Sequence, residues 1–166
     1  GASKLHVEHM LRDLAEAKRR ADQQFGYAAL RYFNVAGSDR SGPIGEDHDP
    51  ETHLITAVLQ AAMGQRDGLS ISGTDYPTDD GPCIRDYIHV TDLAAAHVET
   101  LKHVLSVGGQ VTMNCGYGRG STVKEVISAA EKVFGARIDA RPAERRAGDA
   151  PILVSDNRRI LETLPD

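Results

Sequence analysis

The sequence predicts an α/β protein built from layers of helices and short, mostly parallel strands. Segments with apolar residues at helical spacing alternate along the chain with short runs rich in β-branched and aromatic residues. Turns that carry glycine or proline separate the two kinds of segment. This alternation favours parallel strands, because each intervening helix returns the chain to the starting edge of a sheet.

The first half of the chain contains two predicted helices and two predicted strands. Residues 3–24 place apolar side chains on one stripe and charges elsewhere, and Gly26 is a usual helix stop. Residues 27–35 are rich in aromatic and β-branched side chains, so we expect a strand that is buried on both faces. A polar loop follows, then a helix is predicted over residues 53–63 and a short strand over Leu69–Ser72.

The second half repeats the pattern. An apolar-alternating run over residues 84–90 leads into a helix that begins at Thr91 or Asp92. Thr122 and Glu125 have the spacing of a capping box, which predicts the start of another helix. The remaining predictions are strands over residues 111–115, 138–141 and 152–154 and a last helix from Ser155.

The totals exclude several classes of function. A length of 166 residues, 40% of them apolar, is enough for one domain with a real core. The net charge of −5 argues against a nucleic-acid partner. No apolar run approaches the length of a membrane span and no signal peptide opens the chain, so we expect no membrane association. Cys83 and Cys115 lack C-x-x-C spacing and are too few for a disulfide framework, which favours the reducing cytoplasm.

A long polar loop, residues 73–83, stands between a predicted strand and the run that starts at Ile84. Such loops often carry functional sites. Arg85 lies where the loop becomes ordered. It could be an exposed side chain paired with its neighbour Asp86, or an anchored guanidinium whose planar fork binds phosphate oxygens in pairs. The residues alone leave both interpretations open.

Other motifs carry less weight. Gly116, Gly118 and Gly120 lie between a strand and a helix, but Ser121 stands where a dinucleotide-binding pattern requires glycine, so we predict a tight turn. His6 and His9 are three residues apart, whereas the zincin pattern needs four. The acidic residues of the long loop lack EF-hand spacing. We therefore predict no metal site.

Seven stretches together carry a resemblance to a known family. They resemble the C-terminal part of the UDP-glucose 4-epimerases, which are extended short-chain dehydrogenase/reductases of the NAD-dependent epimerase/dehydratase family. The stretches are GASKL at residues 1–5, LRYFNVAG at 30–37, THLI at 52–55, GTDYPT at 73–78, IRDYIHV at 84–90, NCGYGRG at 114–120 and RRAGD at 145–149.

The resemblance implies a partial Rossmann-like fold with a C-terminal substrate-binding α/β region and with the N-terminal NAD-binding half missing. Residues 1–35 would be the remnant of the NAD-binding domain. Residues 36–166 would be mainly the UDP-sugar-binding region, with the chain interleaved between the two. It also implies a homodimer when the enzyme is complete.

The resemblance implies an NAD-dependent isomerase that interconverts UDP-galactose and UDP-glucose through a 4-keto intermediate, with tightly bound NAD. The family's catalytic tyrosine would precede Gly1. This chain would then be a truncated form that is inactive by itself, since it also lacks the NAD loop. The alternatives are a catalytically dead UDP-sugar-binding fragment and a related nucleotide-sugar decarboxylase or dehydratase.

The resemblance also assigns site residues. Lys4 would be catalytic and cofactor-binding, because a cation beside the tyrosine favours phenolate, and Tyr32 would pack near the nicotinamide. Arg85 and Arg146 would hold the diphosphate, and Asp149 the ribose hydroxyls. The other implied substrate-binding residues are Phe33 near the sugar, Asn34 as a hydrogen-bonding group for the sugar–diphosphate, His53 and Leu54 at a helix start beside the phosphates, and Ser70 and Ser72 beside the uracil.

Overall fold

The computed structural model describes residues 1–42 and 44–164. Helices and strands alternate along these residues, as the sequence predicts. The helices are α1 (Ala2–Arg20), α2 (Leu54–Ala62), α3 (Val90–Val107), α4 (Val123–Phe134) and α5 (Arg158–Thr163). The strands are β1 (Tyr27–Tyr32), β2 (Asn34–Ala36), β3 (Leu69–Ser72), β4 (Ile84–Arg85), β5 (Tyr87–His89), β6 (Gln110–Cys115), β7 (Ser121–Thr122), β8 (Ala140–Ala143) and β9 (Ile152–Leu153).

The strand pairs are mostly parallel, which confirms the predicted α/β class. β1 pairs with β6, β2 with β5 and β3 with β8, each in parallel. β4 lies between antiparallel β7 and parallel β9. β1 and β6 run in register from Tyr27 opposite Gln110 to Tyr32 opposite Cys115, so their carboxyl ends coincide. In parallel α/β structures ligands bind at that end of the strands.

Two clusters of buried side chains form the core. Both draw on helices and strands that are distant in sequence, so each depends on the crossover connections. The first cluster contains Ala57, Val58, Leu69, Ile71, Ile127, Ala130 and Ile138. The second contains Ile88, Leu93, Val111, Met113, Cys115 and Ile160.

The predicted strand over residues 27–35 is wrong in one respect: it is two strands in two sheets. β1 ends at Tyr32 and pairs with β6, whereas β2 begins at Asn34 and pairs with β5. Within this chain β1 is not buried on both faces, since Tyr32 is 46% exposed. The change of partner explains the break, because the backbone N–H of Asn34 turns to the carbonyl of Asp86 at 3.4 Å.

The first helix is shorter than predicted. It ends at Arg20, and Asp22 has a left-handed backbone with φ of 53°. The N–H of Gln23 returns to the carbonyl of Lys18 at 2.9 Å. The stop that sequence reasoning assigned to Gly26 is therefore made four residues earlier by a non-glycine residue.

The other predicted boundaries are partly right and partly wrong. The capping box is confirmed, with the Thr122 hydroxyl accepting from the N–H of Glu125 at 3.1 Å and the Glu125 carboxylate accepting from the N–H of Thr122 at 2.9 Å. The strand Leu69–Ser72 matches residue for residue. The strand predicted over residues 138–141 lies instead at Ala140–Ala143, and the last helix begins at Arg158 rather than Ser155.

Among the described helices, none combines the length and the apolar character that a membrane span requires.

Met113 tests the second core cluster. Its side chain is 1% exposed, whereas Met10 on α1 is 69% exposed. Met113→Ala should lower the free energy of unfolding by about 2–5 kcal/mol, because it removes buried apolar atoms and leaves a cavity. Met10→Ala, the matched control, should change it by less than about 0.5 kcal/mol. Urea unfolding followed by circular dichroism measures both values, and equal effects of the two substitutions would contradict the described core.

Candidate functional site

A buried carboxylate organises the region around the long loop. Asp86 lies between β4 and β5 and is 1% exposed. Its Oδ1 accepts from the N–H of Tyr117 at 3.2 Å, and its Oδ2 accepts from the N–H groups of Gly118 at 3.0 Å and Ser155 at 3.1 Å. Two distant segments of chain are thus fixed on one side chain. A Cβ at Gly116 would lie 2.7 Å from Asp86 Oδ2, so the close approach of this turn requires glycine.

The backbone of Asp86 holds a third segment. Its carbonyl accepts from the side-chain Nδ2 of Asn34 at 3.0 Å. The amide nitrogen of Asn34, predicted to serve the sugar nucleotide, therefore joins β2 to β5. Phe33 lies half-buried at the break between β1 and β2, directly before this contact.

Arg85 is anchored by three hydrogen bonds. Nη1 donates to the carbonyls of Ile84 and Ala150, both at 2.8 Å, and Nη2 donates to Asp149 Oδ1 at 2.9 Å. The side chain is 12% exposed. Of the two interpretations that the sequence left open, an exposed Arg85 paired with Asp86 is wrong. These contacts use three of the five N–H groups of the guanidinium and fix the orientation of its plane.

The turn that carries Asp149 also carries the second predicted arginine. The N–H of Asp149 donates to the carbonyl of Arg146 at 3.3 Å, and the Arg146 side chain is exposed. The structure thus brings Arg85 and Asp149 into contact and places Arg146 on the same turn as Asp149. Arg85 and Asp149, which are distant in sequence, thus meet through their side chains, and Arg146 adjoins them through the backbone of its turn.

A neighbouring arginine has a role that sequence reasoning missed. Arg145 Nε donates to Asp75 Oδ1 at 2.8 Å, and its guanidinium carbon lies 4.3 Å from the centre of the Tyr76 ring. This pair joins the long loop to the segment before Asp149. The hydrogen bond from Arg145 lowers the pKa of the Asp75 carboxyl. No local pattern signals the pair, because its members are 70 residues apart.

The predicted phosphate and uracil contacts lie on α2 and β3. His53 is the N-cap of α2, and its N–H donates to Glu51 Oε1 at 2.6 Å. Leu54 packs against the first core cluster. On β3, Ser70 and Ser72 share one face because side chains alternate along a strand, and Ser70 is exposed.

The predicted cofactor residues lie on neighbouring elements. Lys4 is exposed in the first turn of α1, and the ring of Tyr32 at the end of β1 meets the edge of His97 with centroids 6.0 Å apart. Arg31 Nε donates to Glu8 Oε1 at 2.7 Å, which fastens α1 to β1. Among the described contacts, none joins Lys4 to Tyr32.

The glycine-rich turn at residues 116–120 does not fit a dinucleotide. A Cβ at Gly120 would lie 2.2 Å from Ile84 Cγ2 and 2.8 Å from Val154 Cγ2. The protein's own side chains therefore fill the space that phosphates occupy in a nucleotide-binding loop. The predicted tight turn follows β6 as expected, but the short strand β7 separates it from α4.

Two tyrosines near this turn have phenols with raised pKa values. The hydroxyl of Tyr117 donates to the Asp92 carboxylate, and this bond, with burial, raises the pKa of Tyr117. The N–H of His89 donates to the same hydroxyl at 3.2 Å. Burial, with Cys83 nearby, raises the pKa of Tyr87 to about 12. Both phenols therefore stay protonated at neutral pH.

The fold and these contacts define an α/β protein with an anchored arginine–carboxylate pair at a strand edge. Residues 1–116 match the NAD dependent epimerase/dehydratase family. The chain belongs to this family.

Curated relatives and solved structures agree with this assignment. The chain is 51% identical to a UDP-glucose 4-epimerase of Azospirillum brasilense over 99% of its own length, and 47% identical to one of Halalkalibacterium halodurans. It superposes on the UDP-glucose 4-epimerase of Brucella ovis in complex with NAD with a TM-score of 0.87 at 46% identity, over 97% of this chain and 48% of that one. The Bifidobacterium longum enzyme in complex with NAD⁺ and UDP has a TM-score of 0.90 at 38% identity, over 99% and 48%.

The chain spans about half the length of the relatives that it matches, 46% in the Azospirillum enzyme and 48% in the Halalkalibacterium enzyme. These similarities do not support the prediction that the chain is a C-terminal portion whose N-terminal NAD-binding half is missing.

Substitution of Asp86 tests the role of the buried carboxylate. Asp86→Asn keeps the size of the side chain but replaces one acceptor oxygen by a donor that faces N–H groups. We expect a loss of about 2–4 kcal/mol in the free energy of unfolding, because buried donors lose a charged partner. Asp139→Asn, an exposed control on the Asp139–Arg141 pair, should change it by less than about 1 kcal/mol. Urea unfolding measures the stability of both variants. An unchanged stability of Asp86→Asn would contradict the structural role of the buried Asp86 carboxylate.

Proposed function

We propose that this chain provides the UDP-sugar-binding region of a UDP-glucose 4-epimerase, an isomerase that interconverts UDP-galactose and UDP-glucose through a 4-keto intermediate. The observation that carries the proposal is the anchored Arg85–Asp149 pair in a chain of this family. The names of the relatives support the reaction, and the UDP of the Bifidobacterium structure supports the nucleotide.

Arg85 is proposed to bind the diphosphate. Its guanidinium is largely shielded from water and held by Asp149 and two carbonyls, so its direction is set before the substrate arrives. Hydrogen bonds from a charged guanidinium to phosphate oxygens are shorter and stronger than those between neutral groups, and a side chain that is already fixed loses less entropy on binding. Arg146, exposed on the adjoining turn, is proposed to bind the second phosphate.

Asp149 is proposed to have two roles. Oδ1 holds Arg85 through the hydrogen bond of 2.9 Å. A carboxylate has a second oxygen, which can accept from the ribose hydroxyls. The remaining substrate contacts are proposed for Phe33 near the sugar, Asn34 at the sugar–diphosphate, His53 and Leu54 near the phosphates, and Ser70 and Ser72 near the uracil. The half-exposed face of β3 that carries the two serines supports the last of these.

NAD is proposed as the cofactor of the complete enzyme, where it supplies the hydride acceptor and donor for C4 of the sugar. In this chain Lys4 would lower the pKa of a tyrosine base, and Tyr32 would cover the nicotinamide. Since protein atoms fill the turn at residues 116–120, the chain offers no glycine-rich cradle for the NAD phosphates among its described residues. The 166-residue chain is therefore proposed not to turn over substrate by itself.

The organisation of the molecule is also proposed. Residues 1–35 would belong to the NAD-binding domain and residues 36–166 mainly to the UDP-sugar-binding region, with the chain interleaved; the two core clusters support a division into two parts. A homodimer is supported by the apolar side chains that α1 and α3 expose, among them Leu14, Leu101 and Leu105. A cytoplasmic location is supported by the two free cysteines.

Arg85→Lys tests the proposed diphosphate site. Lysine keeps the charge but cannot reproduce the fork or its three anchoring bonds. We expect UDP affinity to fall at least tenfold, and Arg85→Ala to cost about 2–5 kcal/mol of binding free energy. Arg141→Lys is the control, because its side chain is exposed and pairs with Asp139.

Calorimetric titration with UDP measures the affinities, in a hybrid enzyme in which this chain replaces the matching segment of the Azospirillum relative. An unchanged UDP affinity of Arg85→Ala would contradict the proposed site. A hybrid that binds UDP but does not interconvert the two UDP-hexoses would favour a non-catalytic binding role.

A further inference from the structure

Four potential metal ligands converge in the loop before α2, outside the contacts assigned to the sugar nucleotide except for His53. Glu46, His48, Glu51 and His53 each offer one ligand atom, and these atoms all lie within 4.8 Å of one another. The cluster is mixed, with two imidazoles and two carboxylates, so it is not merely a patch of acidic residues. The imidazole rings of His48 and His53 meet edge to face with centroids 4.8 Å apart.

The distances between the ligand atoms fit a small tetrahedral ion. His48 Nδ1 lies 3.3 Å from Glu46 Oε1, and His53 Nδ1 lies 3.4 Å from Glu51 Oε1. A tetrahedral zinc ion with bonds of about 2.0–2.1 Å separates its ligands by about 3.3–3.4 Å. His53 Nδ1 and Glu46 Oε1 are closer, at 2.5 Å, so this hydrogen bond would open by about 1 Å when the ion enters.

Further contacts orient the carboxylates. Thr56 Oγ1 donates to Glu46 Oε2 at 2.7 Å, and the N–H of His53 donates to Glu51 Oε1 at 2.6 Å. The Glu51 side chain is only 5% exposed, so its position is restricted by the surrounding protein. Hydrogen bonds of this kind orient the ligands in metal sites.

We propose that Glu46, His48, Glu51 and His53 bind a divalent transition-metal ion, with zinc as the best match. Two imidazole nitrogens and two carboxylate oxygens suit zinc better than calcium or magnesium, which prefer oxygen ligands alone. The bound ion fastens the loop at residues 46–51 to His53, the N-cap of α2. Sequence reasoning missed the site because the ligands have the spacing E-x-H-x-x-E-x-H inside a loop, which matches none of the patterns considered.

The site is tested on the whole purified chain without a histidine tag. Zinc is titrated by competition with a chromophoric chelator, and cobalt(II) is titrated for the strong visible absorption of a four-coordinate ion. We expect one ion per chain. His48→Gln and His53→Gln should each weaken zinc binding at least tenfold, because each removes a direct ligand, whereas loss of an orienting partner alone costs about 10- to 100-fold.

His9→Gln is the matched control, since His9 is an exposed histidine of α1 with His6 three residues away. It should leave zinc affinity and the cobalt spectrum unchanged. The proposal is overturned if His9→Gln weakens binding more than His48→Gln, which would place the ion on α1. It is also overturned if the unmodified chain binds no zinc, or if cobalt gives only the weak spectrum of an octahedral, solvent-rich ion.

Discussion

The structure depends on the burial of one carboxylate, that of Asp86. A buried charge without partners would be very costly, but three backbone N–H groups at 3.0–3.2 Å compensate this one. Those donors come from the turn after β6 and from the segment after β9. Because the carboxylate accepts from all of them, it holds the two segments in one arrangement, together with the hydrogen bond from Asn157 Nδ2 to the carbonyl of Gly116 at 3.0 Å.

The same position determines where Arg85 lies. The N–H of Asp86 donates to the carbonyl of Leu153 at 3.1 Å, and the N–H of Ile84 donates to the carbonyl of Pro151 at 2.9 Å. These bonds set the parallel register of β4 and β9, in which Arg85 stands opposite Leu153. The register brings Asp149 and Ala150, just before β9, to the guanidinium. The Arg85–Asp149 pair is thereby held in place by the register of two strands.

Local patterns in the sequence predicted the elements well where the signal is itself local. The capping box of Thr122 and Glu125 and the apolar spacing of α2 depend on residues three or four apart, and both were confirmed. The run over residues 84–90 failed in the middle, because the alternation that suggests one strand contains the buried acid that divides it. The predicted end of α1 at Gly26 was wrong for a different reason. Glycine is only the commonest residue with a left-handed backbone, and here Asp22 adopts it.

In the candidate site, too, contacts between residues that are distant in sequence were harder to predict than local features. The resemblance grouped Arg85, Arg146 and Asp149; the structure shows the contact between Arg85 and Asp149 and places Arg146 on the same turn as Asp149. The pair of Arg145 with Asp75 and the cluster around Glu46 carried no signal, because their members meet only through the path of the loops. Tertiary contacts of this kind need coordinates, and composition does not reveal them.

The most direct test of this account is a crystal structure of the protein with UDP bound. The account predicts a diphosphate oxygen about 2.7–2.9 Å from the Arg85 guanidinium, with Asp149 still paired to it and the three N–H groups still on Asp86. A diphosphate bound elsewhere, with Arg85 bonded only to protein atoms, would contradict it.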